Sequence, residues 1–390
     1  MRKFRKGFFK DSLKLVSKSM FLKEIEVENF RQLKGVFRCS ETLNIIFGRN
    51  GQGKTSWIEA IYVLTTGTSF RASRIQETIS FDAEAANLCG KVLHGSEIER
   101  SVQVFIEQKR KLFFVNGKKV STQSYLEELH AIILNADQLQ IVRGLPEARR
   151  KFLDLSIVAI YPAYYKILSN YNRCIKQKNF LLEEAQKFSR AEIAERIEPW
   201  NQQIVELANK IHKARVRYVG LLNEVLEKRL FGEEEVSIRY VSSLEGKGDL
   251  SNYKSLLKER LDLRLEAEIA AGHSLIGVHR DDLEIKINGW DVKKYGSGGQ
   301  QRSVLFLLLL ANLTIYQAQT GRYPIFLIDD IDAELDYNRL GSLLEFLAGK
   351  CQIFVTTSKE SFVERFGFKG KVFIVEDGKI FDPSNKAAGF

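Results

Sequence analysis

A mixed α/β head interrupted by a mostly helical second lobe is the architecture this 390-residue sequence predicts, and three observations predict it. An apolar, strand-like run, "TLNIIF" at 42–47, leads into the glycine-rich "GRNGQGKTS" and then into a helix-like segment. Strand-like runs return after residue 280 as "IFLIDD", "QIFVTTS" and "KVFIVEDGKI". Between them turn residues thin out, and apolar residues recur at spacings of three and four. The expected parts are an extension at 1–19, a first head segment at 20–145, a helical lobe at 146–275, a second head segment at 276–382 and a tail at 383–390.

Residues 1–19, "MRKFRKGFFKDSLKLVSKS", carry +6 of the formal net charge of +10 and lack the continuous apolar stretch of a secretory signal. They read as a basic amphipathic membrane-surface or targeting segment or, as preferred, a disordered extension upstream of a start at Met20. From there "FLKEIEVENFRQL" alternates, with Phe21, Ile25 and Val27 on one face. "KTSWIEAIYVLTT" places Ile58, Ile61 and Tyr62 at helical spacing. Asn116-Gly117 in "KLFFVNGKKV" and Asn288-Gly289 in "LEIKINGWDV" tolerate the positive φ of a tight turn, so both predict antiparallel hairpins. In the helical lobe, Ile204, Leu207, Ile211, Ala214, Tyr218, Leu221 and Val225 form a heptad seam. Tyr164, Ile167, Tyr171, Cys174, Leu181, Ala185 and Phe188 keep the same rhythm with one break at Lys178. These two stretches fit either a short antiparallel arm or ordinary bundle core.

An apolar fraction of 44% indicates a folded globular chain, and the longest apolar run, "VLFLLLLANL" at 304–313, falls short of the ~20 residues of a membrane span. A soluble, cytoplasmic protein without a membrane partner is expected. Cys39, Cys89, Cys174 and Cys351 show neither a C-x-x-C pair nor metal spacing, which argues against zinc and disulfides and fits a reducing compartment. The +4 left after the extension permits a polyanionic partner without requiring one.

"GRNGQGKT" matches G-x-x-x-x-G-K-[ST] through Gly48, Gly53, Lys54 and Thr55. Gly51 and Gly53 let backbone N–H groups face phosphates, Lys54 adds a point charge, and the Thr55 hydroxyl suits Mg²⁺. Arg49, Asn50, Gln52 and Ser56 complete the expected ATP loop. Asp329 and Asp330 end an apolar strand, a costly place for acids unless a cation is near. Asp329 is expected to hold Mg²⁺ directly or through water, and Asp330 to orient or deprotonate the attacking water. Asp332 and Glu334 read as surface turn residues. "GSGGQQRS" at 296–303 precedes an apolar helix and offers a second anion site through Ser297, Gly299 and Gln300. With one phosphate loop per chain, the economical occupant of that turn is the ATP of a partner chain.

"GSGGQ" resembles the signature motif of ABC-class ATPases, lying as there between phosphate loop and carboxylate strand, and "AELD" at 333–336 is similar to that class's D-loop. The resemblance implies an ABC-type head in which two copies sandwich two ATP molecules, with Asp336 at the nucleotide. "ENFRQL", "TSFRAS", "VRGLPEARRKFLD", "YNRCIKQKNFLL", "GVHRDDLEIKING" and "YGSGGQQR" together resemble the RecF family of bacterial recombination mediators, over about residues 20–382. That implies a cytoplasmic, nucleoid-associated ATPase of recombinational gap repair, replication restart and the DNA-damage (SOS) response. It implies an ATP-dependent homodimer that binds duplex or single-strand/duplex junction DNA, hydrolyses ATP slowly with DNA stimulation, and helps load RecA with RecO and RecR.

Three departures qualify the pattern. Val278 stands where the family usually has proline, and "ADQL" at 136–139 replaces Pro-Glu-Asp-Leu, leaving Gln138 as the catalytic Q-loop candidate. At the switch position after "IFVTT", where transporter ATPases carry histidine, the candidates are Thr357 and Ser358. Arg71 is a further nucleotide candidate by analogy, and Arg149, Arg150 and Lys151 form a candidate DNA cluster or a solvated helix end. The alternatives weighed are a transporter-like ABC subunit without DNA, an SMC or Rad50-type ATPase with a far longer coiled coil, and an ATP-binding scaffold without turnover.

Overall fold

The computed structural model describes residues 20–95, 98–229, 234–331 and 337–383. The expected extension at 1–19, the D-loop with Asp332, Glu334 and Asp336, and the tail from 384 lie outside them.

Two compact units account for the described chain. The first comprises the described residues up to Val120, with Leu129–Ile133 and those from Tyr316 onward. One sheet is antiparallel, in the order β2 (Leu33–Arg38), β1 (Met20–Phe30), β4 (Ala85–His94), β5 (Ile98–Glu107), β6 (Lys111–Val115), β7 (Lys118–Val120). Its strands alternate buried and exposed positions, as a sheet covered on one face does. The expected hairpin forms between β6 and β7, with Asn116 at φ +49° and Gly117 at φ +72°. The second sheet runs β15 (Lys379–Phe381), β14 (Lys371–Glu376), β3 (Leu43–Phe47), β13 (Ile353–Thr357), β12 (Ile325–Ile328), β8 (Ala131–Leu134). Here β3 lies parallel between β13 and β14, and β3 and β13 are buried on both faces along nearly their whole length. Helix α1 (Lys54–Thr66) contacts strands of both sheets and is buried from Ser56 to Thr66, which explains its lack of a polar face. Phe37 of β2 meets Trp57, Phe354 and Phe373 edge to face at the centre of this core.

The second unit holds Ser121–Glu128 and Leu134–Ile315, so its limits differ from the expected helical lobe at 146–275. Residues 276–315 join it because β10 (Asp282–Ile287) pairs with both β9 (Val236–Val241) and β11 (Trp290–Asp291). The expected Asn288-Gly289 turn closes the β10–β11 hairpin. A capping box between Ser189 and Glu192 starts the Arg190–Leu226 helix, and helices on several sides bury more of it than a narrow seam would require. Of the predicted seam, Ile204, Ile211, Tyr218 and Val225 are buried and Leu207, Ala214 and Leu221 half-buried, while Val205, Ala208, His212, Arg215, Val219 and Leu222 are buried as well, which fits bundle core better than a free arm.

Several buried polar groups in this unit satisfy one another. Arg215 donates through Nε and Nη2 to Asp154, which also accepts from Tyr164, and its Nη1 donates to the carbonyl of Val278 at 2.6 Å. Position 278 therefore serves through its carbonyl and a buried apolar side chain, so valine substitutes for the usual proline. Lys178, the break in the predicted seam, lies wholly buried with Nζ 2.6 Å from Glu268 Oε2. The Gly298–Thr320 helix is long and apolar enough to cross a membrane, but Val304, Leu305 and Leu307–Ala311 are buried within the protein.

Candidate nucleotide-binding site

The glycine-rich loop joins β3 to α1 and takes its shape from neighbours distant in sequence. A side chain at Gly48 would place Cβ 2.5 Å from the Val375 carbonyl oxygen, and at Gly53, where φ is +105°, it would meet Gln32 and Gly378. Gly51 also has positive φ but faces open space, which leaves room for a ligand. The Gln52 side chain accepts from the Asp377 N–H at 2.7 Å and its carbonyl from the Gly378 N–H, while Trp57 Nε1 donates to the Gly378 carbonyl. Ser56 is buried with its hydroxyl toward Gln32. Two side chains expected at the nucleotide, Gln52 and Ser56, thus hold the loop, while Arg49, Asn50 and Gly51 are exposed. Lys54 Nζ donates to the carbonyls of Gly48 and Arg49, at the N-terminus of α1.

The carboxylate strand reaches the same place. Thr55 Oγ1 donates to Asp329 Oδ1 at 3.0 Å, and Thr356 Oγ1, from β13, donates to the same oxygen at 2.8 Å. Burial pushes the Asp329 carboxyl above its ordinary range; the two hydroxyls pull it back, Asp330 raises it further, and Arg71 lowers it. Asp330 is exposed, sits at φ +51°, and its N–H donates to Thr356 Oγ1 at 2.7 Å.

Beside these groups Glu59, wholly buried on α1, accepts Arg31 Nε and Nη2, the Ser69 hydroxyl at 2.6 Å, and Arg71 Nη1 at 3.4 Å. Ser69 in turn accepts from the N–H groups of Arg71 and Ala72. The "ENFRQL" and "TSFRAS" segments thereby meet on one carboxylate. No local spacing marks Glu59, Gln32 or Thr356 in the sequence, because their partners come from other elements.

The described residues of this unit present exposed backbone at a helix start, a lysine, and a hydroxyl next to a carboxylate. That donor set suits a polyphosphate and a hard cation. Thr357 is buried and accepts from the Lys359 N–H, whereas Ser358 is exposed.

In the second unit the glycine-rich turn is exposed at Ser297, Gly298 and Gly299. The Gln300 N–H donates to Ser297 Oγ and the Ser297 N–H to Gln300 Oε1, a reciprocal cap that fixes the start of the long helix. Gln138 lies on the Ala136–Leu139 turn, with its N–H bonded to the Asn135 side chain. The proposed basic cluster is corrected: Arg149 is buried in a bidentate pair with Asp282, and Arg150 donates to the Asp281 carbonyl. Lys151 alone of the three is exposed.

Residues 21–380 match the family described as RecF/RecN/SMC N terminal domain. The chain is 33% identical over 379 residues to the DNA replication and repair protein RecF of Natranaerobius thermophilus, covering 92% of this chain and 97% of that one. It resembles the solved structure of the recombination mediator protein RecF-ATP in the RecFOR pathway, at 33% identity and a TM-score of 0.85, covering 93% of this chain and 98% of that one. An Smc head domain with coiled coil and joint from Pyrococcus yayanosii shares the fold alone, at 14% identity and a TM-score of 0.52, covering 93% and 97% of the two chains. These matches favour the RecF reading over the transporter-like alternative. With a family model matched over residues 21–380 and relatives a third identical along nearly the whole chain, the chain belongs to the RecF family of ABC-type ATPases.

Proposed function

We propose that this chain is an ATP-dependent DNA-binding protein of recombinational gap repair, and that Mg-ATP occupies the loop at 48–56. The observation that carries the nucleotide reading is the 3.0 Å contact between Thr55 and Asp329, which puts a hydroxyl and a buried carboxylate together at the start of α1. The bound cation would offset charge on the phosphates. Gly51, Gly53 and the first N–H groups of α1 cradle those phosphates, and Lys54 exchanges its loop carbonyls for phosphate oxygens. Asp329 and Thr55 hold Mg²⁺, and Asp330, exposed beside them, orients or deprotonates the attacking water. Arg71, held by Glu59, adds positive charge at the same end.

The capped turn at Ser297, Gly299 and Gln300, with Asp336, serves the nucleotide of a second copy, so ATP drives homodimerisation. Gln138 is the candidate catalytic glutamine of the Q-loop. Family membership supports slow, DNA-stimulated hydrolysis, binding to duplex or junction DNA, and action with RecR, RecO and RecA at the nucleoid. Anisotropy of a labelled gapped duplex, titrated with and without Mg-ATP, tests this. Tight binding that requires ATP, falls with salt and is lost in Lys54→Met is expected; binding indifferent to both ATP and Lys54 would refute it.

A further inference from the structure

We propose that Thr356 is a positioning residue that locks the two carboxylates of the ATPase site to each other. This rests on the assignment of Asp329 as metal ligand and Asp330 as the group at the attacking water. One hydroxyl takes part in two bonds of opposite sense. It accepts from the backbone N–H of Asp330 at 2.7 Å and donates its own proton to Asp329 Oδ1 at 2.8 Å. The donor role is fixed, because an N–H occupies the accepting side of the oxygen and a carboxylate can only accept.

Three features make this more than a structural contact. Asp330 occupies the left-handed region at φ +51°, which a non-glycine residue holds only when its surroundings impose it, and the Thr356 bond is made by that residue's own N–H. Thr356 is buried, so water cannot replace the hydroxyl. Both the Thr55 and the Thr356 hydroxyls land on Oδ1, which leaves Oδ2 outside these two bonds and fixes the rotation of the carboxylate. The chain Asp330 N–H, Thr356 O–H, Asp329 carboxylate therefore couples the metal-facing group to the water-facing group through one side chain on the neighbouring strand. The adjacent Thr357 has its hydroxyl engaged with the Lys359 N–H, which leaves Thr356 as the strap.

The test reads metal affinity as well as turnover. Binding of a fluorescent, non-hydrolysable ATP analogue is titrated without metal and with Mn²⁺ in the parent, Thr356→Val, Thr356→Ser and Asp329→Asn. Valine keeps the shape and removes both bonds; serine keeps the hydroxyl. The expected result is metal-free binding like the parent's in both threonine variants. Mn²⁺ enhancement should be about tenfold weaker in Thr356→Val, with kcat reduced more than KM changes, and Thr356→Ser should stay within about twofold of the parent. Parent-like Mn²⁺ enhancement and kcat in Thr356→Val would overturn the proposal, as would a serine variant as impaired as valine. If Thr356→Val does not melt as a native protein, Thr356→Ala, which also removes both bonds, replaces it with the same expectations. Unchanged Mn²⁺ enhancement in Asp329→Asn would refute the metal assignment itself, an outcome distinct from failure of the strap.

Discussion

Asp330 shows at single-residue scale how position divides labour between like groups. It shares a turn with Asp329, yet it is exposed while Asp329 is buried with its carboxyl pushed up in pKa. A buried acid between two hydroxyls suits a cation, and an exposed one suits water. Asp330→Asn is therefore expected to bind ATP as the parent does while losing ATPase turnover by about a hundredfold or more; undiminished phosphate release would refute the role proposed for Asp330. The Asp pair was legible in the sequence because an acid at the end of an apolar strand is a local anomaly. Thr356 was not, since its partners lie 26 and 27 residues away, just past the end of another strand, and threonine in a strand is unremarkable. Arg149 misled for the same reason: a run of three basic residues reads as surface, and Asp282, which neutralises Arg149, lies 133 residues downstream.

Elements were more legible than their margins. The strand–loop–helix at 42–66 and both Asn-Gly hairpins follow from backbone chemistry that four or five residues encode. Helical spacing likewise identified the Arg190–Leu226 helix and the Tyr164–Glu183 helix, overrunning the latter to Phe188, but spacing alone cannot say how many sides of a helix are covered, and the Arg190–Leu226 helix is covered on more than one. The break at Lys178 was visible as a polar residue in an apolar rhythm, and its resolution lay in Glu268 of the Tyr253–Ala271 helix. Burial lowers the Lys178 pKa and the Glu268 charge opposes that shift, so each charge depends on the other. Lys178→Met alone is expected to cost about 3–5 kcal/mol by stranding a buried carboxylate, whereas Lys178→Met with Glu268→Met should recover most of the loss. Chemical denaturation of the three proteins checks this, and a double variant no better than the single one would show that the pair's charge is not what matters.

Across the whole molecule, acid should act through two half-buried histidines held neutral. His130, stacked on Tyr316, and His279, hydrogen-bonded through Nδ1 to Tyr171, are each lowered to about 4, mainly by burial. The unfolded chain takes up these protons near pH 6.5 and the native protein does not, so their contribution is present above that pH and declines as pH falls toward 4. A loss of about 2 kcal/mol per histidine is expected at pH 5; a Tm unchanged between pH 7 and pH 5 would contradict it. The same scale sets the order in which a new copy becomes competent. The phosphate loop at 48–56 is braced by Val375, Asp377 and Gly378, and β3, which leads into it, has both sheet neighbours more than 300 residues later. A ribosome needs roughly twenty seconds to a minute to make that stretch. Throughout that interval the emerging chain carries the residues of the loop without the hairpin that shapes it. Nucleotide capture is thus among the last properties a nascent chain acquires, and a polypeptide released early carries the ATP motif but lacks the support that makes it a site.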